Sequence, residues 1–234
     1  MSVVYGTDYS QRELSPSELD HFTQYNIRFL IRYIGFPGNP KCISHYPGAY
    51  QRHVQAGRTV LLVYENGNAD PQAGYAGGVA AAKRALGDAR SIGYPDNLPI
   101  FFAADGWLDA ANIPVSTAMA YLDGAASVMT RPRTGAYGFR DFIKAAKAGG
   151  HARWLWLAGA APTNQEVAQG WPHFYQWNNG QLTFGNMAAD LDWAYPGVLE
   201  SLPQPAVPAP AHVPAPAHAP APAPAHAPAP HAHA

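Results

Sequence analysis

Short β-branched and apolar runs alternate with helical patterns from Val3 onward, and that alternation restricts the chain to folds built from parallel strands with right-handed crossovers. Residues 3–9 read as a strand. Ser15, Pro16 and Glu18 then supply an N-cap, a first-turn proline and the acid of a capping box, which predicts a helix to about residue 25. Residues 27–35 form a nearly continuous apolar run, suited to a strand buried on both faces. The pattern repeats with a helix over 49–57, a strand over 59–65, an Ala-rich helix over 77–89, a strand over 99–105 and a helix over 116–129.

The second half is less regular. Residues 134–138 and 153–158 read as strands with a short helix over 142–148 between them, and 173–177 and 187–193 read as two more strands. The gaps between these later strands are short and turn-like, with no good helix. Eight strands with helices concentrated in the first five units predict an α/β chain folded as an irregular TIM-like β/α barrel. A doubly wound open sheet is the alternative, but Gly6-Thr7-Asp8-Tyr9-Ser10 stands where such a sheet carries its Gly-rich phosphate loop.

Composition divides the chain. Residues 201–234 contain thirteen Ala, eleven Pro and five His but no Asp, Glu, Lys or Arg. A barrel over 1–200 followed by a disordered tail over 201–234 is therefore expected. As polyproline II the tail would act as a spacer, or, through His212, His218, His226, His231 and His233, as a pH-dependent arm contacting envelope or virion components. The body carries every formal charge and nets -1, which disfavours nucleic acid or an anionic membrane as a partner. No window reaches the roughly 20 apolar residues of a membrane span, and the N-terminus shows no signal peptide. The protein is expected to be made in the cytoplasm and to reach a cell wall with a virion or on lysis.

Barrel chemistry collects at the C-terminal ends of the strands, and this chain ends its strands on carboxylates. Asp8 closes the first, Glu65 the third and Asp105 the fourth, while Asp190 and Asp192 lie on one face of the eighth. An acid that ends an apolar strand pays for desolvation unless something uses it. Several acids on one rim can hold different protonation states, as cleavage of a glycosidic bond requires. The bland reading is that such acids cap a helix or pair with Arg32 on the second strand. Among the strand aromatics, Trp107 and Trp177 are the candidate sugar platforms, Tyr137 lies beside them, and Gln176 offers an amide for a hydroxyl or acetamido group. The body histidines lack metal-ligand spacing, Cys42 is the only cysteine, and neither a metal nor a cofactor is expected.

These residues carry a likeness. Gly6-Thr7-Asp8, the run 29–35, the run 60–65, Gly74-Tyr75-Ala76-Gly77-Gly78, the run 99–105, Gly135-Ala136-Tyr137-Gly138, Gln176-Trp177 and Asp190-Leu191-Asp192 follow in order. Over about residues 3–195 the chain resembles the glycoside-hydrolase-like domain of actinobacterial cell-envelope and phage proteins, distantly similar to Chalaropsis-type lysozymes. The resemblance implies a barrel in which Asp8, Glu65, Asp105 and an acid of the eighth strand line a saccharide cleft. One departure stands out: the lysozymes carry an acid two residues after the fourth-strand aspartate, where this chain has Trp107.

Two functions follow as expectations. One is a glycoside hydrolase acting on cell-wall polysaccharide, with Glu65 as general acid, Asp105 as base or electrostatic stabiliser, Asp8 in the catalytic set, and Arg32, Trp107, Tyr137, Gln176, Trp177, Asp190 and Asp192 binding substrate. An acetamido substrate could instead supply its own nucleophile, with Asp105 orienting it. The other is a non-catalytic saccharide-binding or structural module that keeps the barrel and cleft.

Overall fold

The computed structural model describes residues 2–104, 106 and 112–203, with the side chains of 178–181 excepted. Within them, eight strands close into a barrel in chain order, β1-β2-β3-β4-β5-β6-β7-β8. They are β1 Val4–Tyr9, β2 Phe29–Ile34, β3 Thr59–Tyr64, β4 Ile100–Ala104, β5 Thr134–Gly138, β6 Trp154–Leu157, β7 Phe174–Phe184 and β8 Met187–Ala194. The helices are α1 Pro16–Gln24, α2 Ala49–Gln55, α3 Gly74–Ser91, α4 Val115–Met129, α5 Arg140–Ala148, α6 Asn164–Ala168 and α7 Val198–Ser201. The irregular α/β barrel expected from the strand-helix alternation is the fold observed. None of the described helices is long and apolar enough to cross a membrane.

Two details differ from the sequence reading. β8 runs antiparallel to both neighbours, β7 and β1, so the barrel closes through a hairpin rather than a crossover. The connection between β7 and β8 is Gly185 and Asn186 alone, and two residues can only reverse a chain. The other difference is α6, in a gap expected to hold no good helix. Its five residues are too few for a periodic pattern, but Thr163 and Glu166 form a reciprocal capping box that starts it.

Strand register sorts the side chains. Gly6 and Asp8 share a face with Phe29 and Ile31, and that face continues through Leu61, Val63, Phe101, Ala103, Gly135, Tyr137, Trp156, Phe174, Gln176 and Asp192 around the closed sheet. This is the inside. Its lower layer is aromatic: Phe174 packs on Phe29 and Phe101 with ring centroids 5.5 and 5.7 Å apart. Gly6 and Gly135 make room for those rings, since a Cβ would fall 2.3 Å from Phe29 and 2.5 Å from Phe101. The barrel is thus plugged from below, and the polar inward residues sit above the plug at the C-terminal mouth.

Candidate functional site

Asp8 stands near the end of β1, opposite Asp190 on the antiparallel β8, and Gln176 stands opposite Asp192. These four meet inside the barrel. Gln176 Nε2 donates to Asp8 Oδ2 at 2.8 Å and to Asp190 Oδ2 at 2.9 Å, while its Oε1 accepts from the Tyr137 hydroxyl at 2.9 Å. Two carboxylates on one side and a phenol on the other fix which end of the amide is which. Behind them, Trp156 Nε1 donates to Asp192 Oδ1 at 3.0 Å, and the Trp156 ring packs on Tyr137 with centroids 3.9 Å apart. The result is one connected polar network across β1, β5, β6, β7 and β8.

Asp192 is fully buried. Burial first, and then the negative charges of Asp8 and Asp190, hold its pKa well above the ordinary aspartate value, only partly offset by the Trp156 N–H. Its Oδ2 meets no donor, which suits a protonated carboxyl that is itself the donor. The site therefore keeps a neutral acid behind Asp8 and Asp190.

A stability consequence follows with a definite sign. The unfolded chain releases the Asp192 proton near pH 4, whereas the folded protein retains it, so stability falls as pH rises above about 4 toward the folded pKa. Asp192→Asn keeps an acceptor for Trp156 and a donor toward Asp8 without the ionisation penalty. Denaturant unfolding at pH 7 is expected to show a gain of about 1.4 kcal/mol for each pH unit by which the lower of pH 7 and the folded pKa exceeds the unfolded pKa, and little gain at pH 3.5. Equal effects at both pH values would contradict the neutral-acid assignment.

Glu65 follows β3 directly, two residues beyond the inward-facing Val63, and is buried. Lys41, from the loop after β2, donates from Nζ to the Glu65 carbonyl oxygen at 2.6 Å and lies 4.9 Å from the centroid of the Tyr33 ring. Lys41 is the rim cation that sequence reasoning missed. Nothing in Asn39-Pro40-Lys41-Cys42 marks it, because its position depends on the Tyr33–Cys42 bridge that folds the loop back over β2. In sequence Trp156 is one strand aromatic among several; its hydrogen bond to Asp192 gives it a place in the network.

Other candidates stand elsewhere. Arg32 pairs in register with Tyr9 and Leu62 on the outer face and is fully buried between the sheet and the helices, with Nη1 2.6 Å from Glu13 Oε2. It is not a cleft residue, because alternation along β2 sends it out where Ile31 and Tyr33 point in. Trp177 follows the inward Gln176 and so also faces out, 40% exposed and stacked on Trp193. Gln176 is inside, but its amide already holds Asp8, Asp190 and Tyr137 rather than waiting for a ligand. Asp105 and Trp107 lie outside the described residues. Among the described residues no group of three or more His, Cys, Asp or Glu is arranged to hold a metal ion.

The model of the Rv2525c-like, glycoside hydrolase-like domain matches residues 11–211. The chain belongs to this family. The Tat-secreted protein Rv2525c of Mycobacterium tuberculosis, solved in complex with L-tartrate, superposes with a TM-score of 0.69 at 20% identity, covering 83% of this chain and 96% of that one. Other solved proteins share the barrel fold. The autolysin LytC from Streptococcus pneumoniae, solved with a synthetic peptidoglycan ligand, gives 0.59 at 12% identity over 82% of this chain and 47% of its own. The bacterial lysozyme of Streptomyces coelicolor gives 0.52 at 17% identity over 82% and 92%. At these identities the likeness is one of fold. No curated protein sequence gives a significant match.

Proposed function

We propose that this Rv2525c-like domain acts on bacterial cell-wall polysaccharide, peptidoglycan or a related polymer, through the C-terminal mouth of its barrel. The observation that carries the reading is the joined carboxyl set, Asp8, Asp190 and Asp192 tied by Gln176, with Glu65 on the neighbouring arc of the rim. Burial beside Asp8 and Asp190 keeps Asp192 neutral, so carboxyl groups of one site hold different protonation states, the condition that glycosidic bond cleavage needs. Glu65 serves as general acid and Asp105 as base or stabiliser, with Asp8 held toward the sugar by Gln176. Barrels of the same fold in an autolysin and a lysozyme support a glycan as substrate.

The test is release of reducing ends and soluble muropeptides from purified walls. Glu65→Gln, Asp105→Asn and Asp8→Asn are each expected to lower release by about 10²-fold or more, the usual contribution of a positioned acid or base. Unchanged release in all three would sink the hydrolase reading. The second reading, a saccharide-binding module without turnover, is favoured by the saturated amide of Gln176 and by Trp107 at the place of an expected acid. Retention on walls with no product after long incubation, lost in Asp8→Asn, would establish it instead.

A further inference from the structure

Lys41 reaches the mouth on a loop that is pinned at both ends. Asp88, buried on α3, accepts on Oδ2 from the Gly35 N–H at 2.7 Å and from the Ser44 hydroxyl at 2.7 Å. These two residues bracket the segment 35–44, so one carboxylate on an outer helix sets where the loop leaves β2 and where it returns. Between them the Asn39 side chain accepts from the Lys41 N–H at 3.0 Å and its carbonyl oxygen from the Cys42 N–H at 2.9 Å, a tight turn directly before the lysine. Cys42 is fully buried and bridges back to Tyr33. The Lys41 ammonium then lies 4.9 Å from the centroid of the Tyr33 ring and 5.8 Å from that of Phe36, and donates to the Glu65 carbonyl oxygen at 2.6 Å. Fixing a lysine in this way costs much of its rotamer freedom, which a merely solubilising charge would keep.

We infer that Lys41 is a specificity residue of the mouth, selecting glycans that carry a carboxylate, and that Asp88 is its positioning residue. The inference rests on the reading of the mouth as a glycan site and names the class of glycan. An ammonium has three donors, and the Glu65 carbonyl takes one. Because Nζ is anchored to the backbone of Glu65, a sugar touched by the Glu65 side chain has the ammonium beside it. From β1 and β8 the site is faced by carboxyl groups, Asp8 and Asp190 among them. Their charge repels an acidic saccharide and leaves a neutral one indifferent, so a fixed cation matters to the acidic one. A cation that stays in place also offers its hydrogen bonds in a set direction. The carboxylate recognised could belong to the lactyl ether of a muramic acid or to a uronic acid; the chemistry is the same.

The experiment uses the full chain and two matched pairs of tetrasaccharides. One is a peptide-free N-acetylglucosamine–N-acetylmuramic acid tetrasaccharide with its lactyl carboxylates free or converted to amides. The other is a glucuronate–N-acetylglucosamine tetrasaccharide with its carboxylates free or reduced to alcohols. What is read is the ratio of acidic to neutral affinity, or of kcat/KM where the sugar is cut. Wild type is expected to favour the acidic form by about tenfold at low salt, less as salt is added. The ratio should fall toward 1 in Lys41→Met, be largely kept in Lys41→Arg and drop below 1 in Lys41→Glu. Ser44→Ala removes one anchor of the loop without touching the lysine and should lie between wild type and Lys41→Met. A preference confined to one pair supports the inference and identifies the source of the carboxylate. A lysine that only braces the loop would weaken both forms alike, so an unmoved ratio in Lys41→Met overturns the inference. A wild-type ratio near 1 in both pairs, with binding still lost in Asp8→Asn, overturns it while the glycan reading stands. No binding or cleavage of any of the four sugars overturns both.

Discussion

Glu13→Ala is expected to destabilise the barrel by about 3–5 kcal/mol, because it leaves the Arg32 guanidinium buried without its counterion. Arg32 has no solvent exposure, and its guanidinium lies 3.7 Å from the centroid of the Tyr9 ring. Its Nη1 donates to Glu13 Oε2 at 2.6 Å, and His53 Nε2 lies 2.9 Å from Glu13 Oε1. One carboxylate thus serves two buried partners on β2 and α2. Burial pushes the Glu13 pKa up, but the His53 hydrogen bond and the Arg32 charge outweigh it and hold the carboxyl at about 2. The folded pKa is depressed, so this contribution is fully present above about pH 4.5 and is lost as pH falls through about 2. Urea unfolding should show the gap between wild type and Glu13→Ala narrowing over that window. The double change Glu13→Leu with Arg32→Met removes both charges and is expected to recover much of the loss, since a buried ion pair is costly to break but not costly to replace by apolar groups. A double variant as unstable as Glu13→Ala would mean that packing, not the unpaired charge, is responsible.

Gly78→Ala is expected to cost about 3 kcal/mol, despite the roughly 1 kcal/mol that alanine gains over glycine inside a helix. A Cβ at Gly78 on α3 would lie 1.8 Å from the carbonyl oxygen of Tyr121 on α4, and one at Gly124 would lie 2.0 Å from the carbonyl oxygen of Tyr75. The two helices touch backbone to backbone at reciprocal glycines, and no side-chain rotation relieves a clash with main chain. Separation of the helices would loosen Tyr121, which is buried against Phe102 of β4. Thermal unfolding should show Gly78→Ala and Gly124→Ala both strongly destabilised and their double variant less than additive, because the helices need separate only once. Gly87→Ala, on the same α3 but with open space around it, should be neutral or stabilising.

The strand-helix order was legible because each element is a local decision. The apolar run at 29–34 and the capping box at Ser15 and Glu18 state their structure within a few residues. The convergence of Asp8, Asp190 and Asp192 was partly legible, since acids ending or interrupting apolar strands are costly to bury without purpose. Their partner Gln176 was legible as a polar residue on a strand but not as a bridge, because its two carboxylates come from positions 168 residues upstream and 14 downstream. Lys41 was not legible at all. Arg32 and Trp177 were misplaced for a simpler reason: a strand presents successive side chains to opposite faces, and composition alone does not say which face is inside.

By itself, the sequence determined the kind and order of the elements, the apolar character of the strands and the supply of carboxylates near their ends, all of which follow from local propensity and period. Tertiary structure alone decided which way each carboxylate points and what it meets. Closure through an antiparallel β8 brings Asp190 and Asp192 beside Asp8, and burial against Trp156 then keeps Asp192 neutral. Charge state is a property of surroundings, and those surroundings are assembled from strands that are neighbours only once the barrel has closed.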